Sequence, residues 1–79
     1  MIHAREDYNR IQDPAGKIAE DEPVFMVRAR DKCAPATMRY WARIHDDAGG
    51  DPKMSEMVRE HAKKAENWQA VNGCKVADL

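Results

Sequence analysis

Five side chains in this 79-residue sequence could hold a metal or attack a substrate: His3, His45, His61, Cys33 and Cys74. Zinc takes four nitrogen or sulfur ligands, and a short chain assembles them most readily from pairs already arranged on one turn. No Cys-x2-Cys or His-x3-His pair occurs, so no metal site is expected. His45 and His61 fall at apolar positions of helical stripes, where the plainer reading has them half-buried and facing each other, a pairing that protonation would loosen. Cys33 lies near Arg30 and Lys32 at the start of a helical segment, a setting that suits a nucleophilic thiol. No oxyanion loop or orienting partner accompanies it, so no catalytic residue is expected. The neighbouring carboxylates Asp21-Glu22 and Asp46-Asp47 read as solvated or capping groups. Gly49-Gly50 lacks the remaining spacing of a phosphate loop, and nothing in the sequence calls for a cofactor.

Charge is the more informative signal. The net charge is −1, which argues against a general nucleic-acid coat protein, yet the charges are segregated. Residues 1–23 carry three basic and six acidic groups, residues 24–45 five against one, and residues 46–79 five against seven. The basic island consists of Arg28, Arg30, Lys32, Arg39 and Arg43, with Tyr40 and Trp41 among them. Cations beside aromatics suit phosphate contact with base stacking, and they suit an acidic protein surface equally well. The bland alternative is a set of solvated surface arginines. Near-neutral overall charge favours a protein partner over nucleic acid, with Arg28, Arg30, Lys32, Arg39, Tyr40 and Arg43 as the partner-binding residues.

Length allows one domain, residues 1–79, with a small core. Residues 1–17 are polar and aperiodic, with turn formers at Asp13-Pro14-Ala15-Gly16, and read as an irregular arm. Tyr8, Ile11 and Ile18 could pin that arm across the rest of the chain. Val24 to Ala29 is β-branched and aromatic at its start, suggesting a short strand or extended segment over about 23–29, with Phe25, Val27 and Ala29 on one face. A helix is expected over about 35–48, begun by Pro35 with Asp31 or Ala34 as cap. It carries a stripe of Met38, Trp41, Ile44, His45 and Ala48. Gly49-Gly50 should end it, with Gly49 in the left-handed conformation.

The second helix, about 52–70, has Asp51 as N-cap, Pro52 at its first position and a stripe of Met54, Met57, Val58, His61, Ala62, Ala65 and Trp68. The fold class is therefore mainly α: an antiparallel helical hairpin with Trp41 and Trp68 buried between the helices, and residues 72–79 a loose tail. One hairpin cannot cover both stripes, so the arm or a second copy of the chain should close the open face. No apolar run approaches the roughly 20 residues that span a bilayer. Two cysteines and an N-terminus unlike a secretory leader point to reduced, cytoplasmic thiols; the chain is poor in cysteine for a disulfide scaffold.

Asn9-Arg10-Ile11-Gln12-Asp13-Pro14-Ala15-Gly16-Lys17, Asp21-Glu22-Pro23-Val24-Phe25-Met26-Val27-Arg28 and Ala48-Gly49-Gly50-Asp51-Pro52 form a recognisable series with Arg59-Glu60-His61-Ala62 and Asn67-Trp68-Gln69. Over residues 9–69 it resembles a group of small proteins from phages and prophages of proteobacteria. The resemblance contains no catalytic motif, and it carries no functional residue onto this chain. It implies a genomic setting, the cytosol of a bacterial host, where small non-catalytic phage proteins work by binding a host protein. Anti-CRISPR proteins are the class of this size and character, so the resemblance implies an inhibitor of a host defence complex, with CRISPR effector subunits as partners and a nucleic-acid-binding surface as the target. The alternatives are a nucleic-acid-binding accessory protein and a homodimeric regulatory or antitoxin-like module.

Overall fold

A computed structural model describes residues 1–5 and 13–78; Tyr8 and Ile11 of the expected strap lie outside these. The described residues form, in order, β1 (Ile2–His3), β2 (Pro23–Val24), α1 (Ala34–Asp47) and α2 (Pro52–Asn72). The protein is mainly α, two packed helices with a small two-stranded parallel sheet.

Local chemistry sets the helix limits. Asp51 is extended (φ −62°, ψ 121°), and its carboxylate accepts the Lys53 amide at 2.9 Å, satisfying one of the free N–H groups at the start of α2. Pro52 follows where no amide is needed. At the start of α1 the cap is Cys33, with no side-chain hydrogen bond, rather than Asp31 or Ala34. Asp31 acts one turn earlier: its carboxylate accepts the Cys33 amide at 2.8 Å and its carbonyl the Ala34 amide at 2.9 Å. Pro35 is thereby the second helical residue. Gly49 (φ 78°) closes α1 as the spacing predicts, and Gly73 (φ 80°) closes α2.

The helices meet along a seam of small side chains. Ala34, Ala42, Ala62 and Ser55 are fully buried and Ala65 nearly so; Ser55 is the largest completely buried side chain among the described residues. Small groups let helix axes approach closely, so the bulkier residues one step round each helix are pushed to the flanks. This corrects the expectation that the tryptophans fill the interior: Trp41 is 43% and Trp68 39% exposed. Polar ties cross the seam. Arg39 forks onto Glu66 at 2.9 and 2.5 Å, and Asp46 accepts hydrogen bonds from Ser55 and Arg59.

The strand expected over 23–29 shrinks to Pro23–Val24, and it pairs in parallel with Ile2–His3, inside what the sequence presents as an irregular arm. Ile2 donates to the Glu22 carbonyl at 2.7 Å and Ala4 to that of Val24 at 3.1 Å. The N-terminal ammonium caps the carbonyls of Ala19 and Glu20. The Asp13–Gly16 turn forms as expected, with Gly16 at φ 63° and its amide on the Asp13 carbonyl. Beyond Val24 the chain leaves the sheet, and Phe25 points outward, 72% exposed, instead of sharing a buried face with Val27 and Ala29.

Residues 29–32 instead pack against the end of α2. The Gln69 side chain donates to the carbonyls of Ala29 (2.8 Å) and Asp31 (3.0 Å), while Arg30 donates to that of Asn72 at 2.6 Å with its guanidinium 4.6 Å from the Trp68 ring centre. The tail, expected to be loose, folds back onto this segment. Lys75 donates to the Arg30 carbonyl at 3.0 Å, and Lys32 to that of Lys75 at 2.8 Å. No helix among the described residues is long and apolar enough to cross a membrane.

Candidate interaction surface

The six expected partner-binding residues do not line one site: Arg28 and Arg30 border a common recess, and Lys32, Arg39, Tyr40 and Arg43 do not. Arg39 is committed to Glu66, the ion pair raising its pKa and holding the Glu66 carboxyl below the ordinary range. Arg30 is committed to the end of α2 through Trp68 and the Asn72 carbonyl. Tyr40 and Arg43 are exposed on α1, and helical spacing puts them on its outer side, away from the buried Ala42. Lys32 is exposed just before α1. Two of the four arginines are thus structural cross-links, a role that local charge counting cannot distinguish from a binding role.

Arg28 stands differently. It lines an open cavity of about 140 Å³ where the residues after β2 meet the tail. Phe25, Met26 and Ala77 supply apolar wall; Arg5, Arg28, Arg30 and Lys75 bring positive charge against Asp31 and Asp78. Part of that charge is balanced internally, since Lys75 lies 3.3 Å from Asp78 and Arg5 donates to the Asp78 carbonyl at 3.0 Å. What the cavity offers is a net-positive recess with an exposed phenyl ring at its mouth. Such a place suits a carboxylate or phosphate carried on an apolar or aromatic body.

Phe25, Lys75, Ala77 and Asp78 were not foreseen as site residues. Their meeting joins segments some fifty residues apart, and no periodicity or spacing announces it. Other groups singled out for chemistry are dispersed. His45 stacks on Trp41, ring centres 4.7 Å apart and planes 15° apart, with its Nε2 3.3 Å from the Asp51 carbonyl oxygen. It therefore does not pair with His61, which is exposed on α2. Cys33 and Cys74 are exposed free thiols, and no group of three His, Cys, Asp or Glu side chains that could hold a metal is found among the described residues.

Comparison of the chain with protein-family models, with curated proteins and with solved structures finds no match.

Proposed function

We propose that this chain is an antiparallel helical hairpin serving as a non-catalytic binding module, and that it is a phage-encoded inhibitor of a host defence complex of the anti-CRISPR kind. The observation that carries the binding reading is the recess beside Arg28, with cationic lining and Phe25 exposed at its mouth. Arg28, like Lys32, Tyr40 and Arg43, is not spent on cross-linking the helices, and of these four it is the one that lines the recess with the exposed Phe25. An acidic side chain next to an apolar contact on the partner is the complementary group. Close charge pairs of this kind set orientation and discriminate between partners more than they set raw affinity. The inhibitor reading adds the phage-protein resemblance, which suggests CRISPR effector subunits as the partner.

The test is plasmid interference. Bacteria carrying an active CRISPR system are transformed with a targeted plasmid, with and without this protein expressed. The proposal predicts that transformation rises toward the level of an untargeted plasmid, and that Arg28→Glu returns it to the restricted level. Full restriction across the CRISPR types of proteobacteria would refute the inhibitor reading. A nucleic-acid-binding accessory role is the second reading, favoured by the same pairing of Arg28 with Phe25. Its signature is direct binding of RNA or DNA that falls steeply with salt.

A further inference from the structure

We infer that the apolar flank of the helical pair is covered by a second copy of this chain, giving a dimer in which two α1–α2 layers stack face to face. The inference is independent of the recess beside Arg28.

It begins with what the monomer leaves undone. Four alanines make up the buried hydrophobic residues outside Pro35, and no described side chain larger than Ser55 is fully enclosed. A domain needs two packed layers around a core, and the helical pair is one layer. The molecule's dimensions agree: 35 × 34 × 19 Å, with a radius of gyration of 13.9 Å, against about 11.6 Å for a compact 79-residue domain. It is flattened, and less compact than its length allows.

The missing apolar burial lies on one side. Trp41 and Ile44 of α1 fall on the flank opposite Arg39 and Asp46, and Met54, Met57, His61 and Trp68 of α2 fall on the flank opposite Arg59 and Glu66. Trp41, Ile44, Met54, Met57 and Trp68 are between 39% and 57% exposed. The positions between them are threonine, histidine, alanine and valine, with charge at the margins, where Lys64 follows Met57 by two turns and the Arg30 guanidinium stacks on Trp68, while the other side carries the ion pairs. Exclusion of charge from the middle of an exposed apolar patch is the pattern of an interface core.

Two arguments make a second copy the occupant. First, the cover is needed for the fold itself. A host protein met after synthesis cannot supply it, whereas a sister chain is present whenever the protein is. Second, the dimensions match. Fourteen- and 21-residue helices are about 21 and 32 Å long and together about 20 Å wide, a footprint of the order of the 800 Å² per partner of a stable interface. An identical slab turned by a two-fold axis covers such a flank completely and completes a four-helix arrangement.

The experiment is sedimentation equilibrium and thermal unfolding of the full chain between about 1 and 200 µM. Expected are a mass of twice the 9.0 kDa chain at the higher concentrations and a melting temperature that rises with concentration. Ile44→Glu with Met57→Glu should return the mass to 9.0 kDa, whereas Lys63→Glu, on the side of α2 that carries Arg59 and Glu66, should leave the dimer intact. If the double glutamate form loses its helical circular dichroism, Ile44→Ala with Met57→Ala reads the same surface, with an expected weakening of self-association of about tenfold or more. A wild-type chain that stays monomeric with a concentration-independent melting temperature would overturn the inference. So would a dimer indifferent to these flank substitutions.

Discussion

Gly49 and Gly50 sit side by side for different reasons. Gly49 has φ 78° with open space where a Cβ would stand; it is there for backbone conformation. At Gly50 a Cβ would run into the His45 imidazole, which occupies that space while stacked on Trp41. Gly50→Ala is therefore expected to expel His45 from its stack, at a cost of about 0.5–1.5 kcal/mol, the worth of a stacked aromatic pair. NMR should show the His45 ring protons losing the upfield shift imposed by the Trp41 indole. Unaltered His45 shifts in the variant would contradict this assignment. The sequence marks both glycines as a helix stop but not what fills the space beside the second. The i,i+4 spacing of Trp41 and His45 was visible; assigning both to a generic apolar stripe concealed that they touch each other.

At the scale of elements, both helices, the start of α2 and the turn between them are legible because each rests on local rules: Asp51-Pro52 to begin α2, Gly49 to end α1, a 3.6-residue period between; the α1 cap is not, since Cys33 caps it without a side-chain hydrogen bond. What fills the interface is less legible. Hydrophobicity ranks Trp41, Met57 and Trp68 highest, yet the seam selects Ala42, Ser55, Ala62 and Ala65 because close approach of the axes excludes bulk. The polar ties across that seam have a consequence with pH. Arg59 and then Ser55, by hydrogen bonding, hold the Asp46 carboxyl below its ordinary pKa, and Arg39 does the same to Glu66. A carboxyl whose pKa is lower in the folded chain than in the unfolded one stabilises the fold fully above the unfolded value. That contribution is lost as pH falls through the folded value. Both pairs are solvent-exposed, so the effect is modest and salt-sensitive. Melting temperature should hold from neutral pH down to about 5 and then decline; Asp46→Asn with Glu66→Gln should flatten the decline. Parallel profiles for the two proteins would show that these ties contribute nothing.

The whole molecule is decided by contacts that no local rule announces. The tail reads as loose because it has no periodic pattern, yet Lys75 pairs with the segment Arg30–Lys32 across more than forty residues. That pairing builds the recess beside Arg28. The basic island was legible as composition only; its members divide between cross-links, as with Arg30 and Arg39, and open surface, as with Arg28, Tyr40 and Arg43. Charge counts carry no information on which arginine has an acid opposite it in three dimensions. The recess and the apolar flank are two distinct surfaces, to which our proposals assign a foreign partner and a second copy of the chain respectively.

The most direct measurement is affinity capture with the immobilised protein from lysate of a CRISPR-active bacterium, comparing wild type with Arg28→Glu and reading bound proteins by mass spectrometry. The account predicts that effector subunits are retained by the wild type and lost with Arg28→Glu, the variant keeping its helical circular dichroism. Retention of the same subunits by both forms would remove the recess from the mechanism, and failure of the wild type to retain any would contradict the inhibitor reading itself.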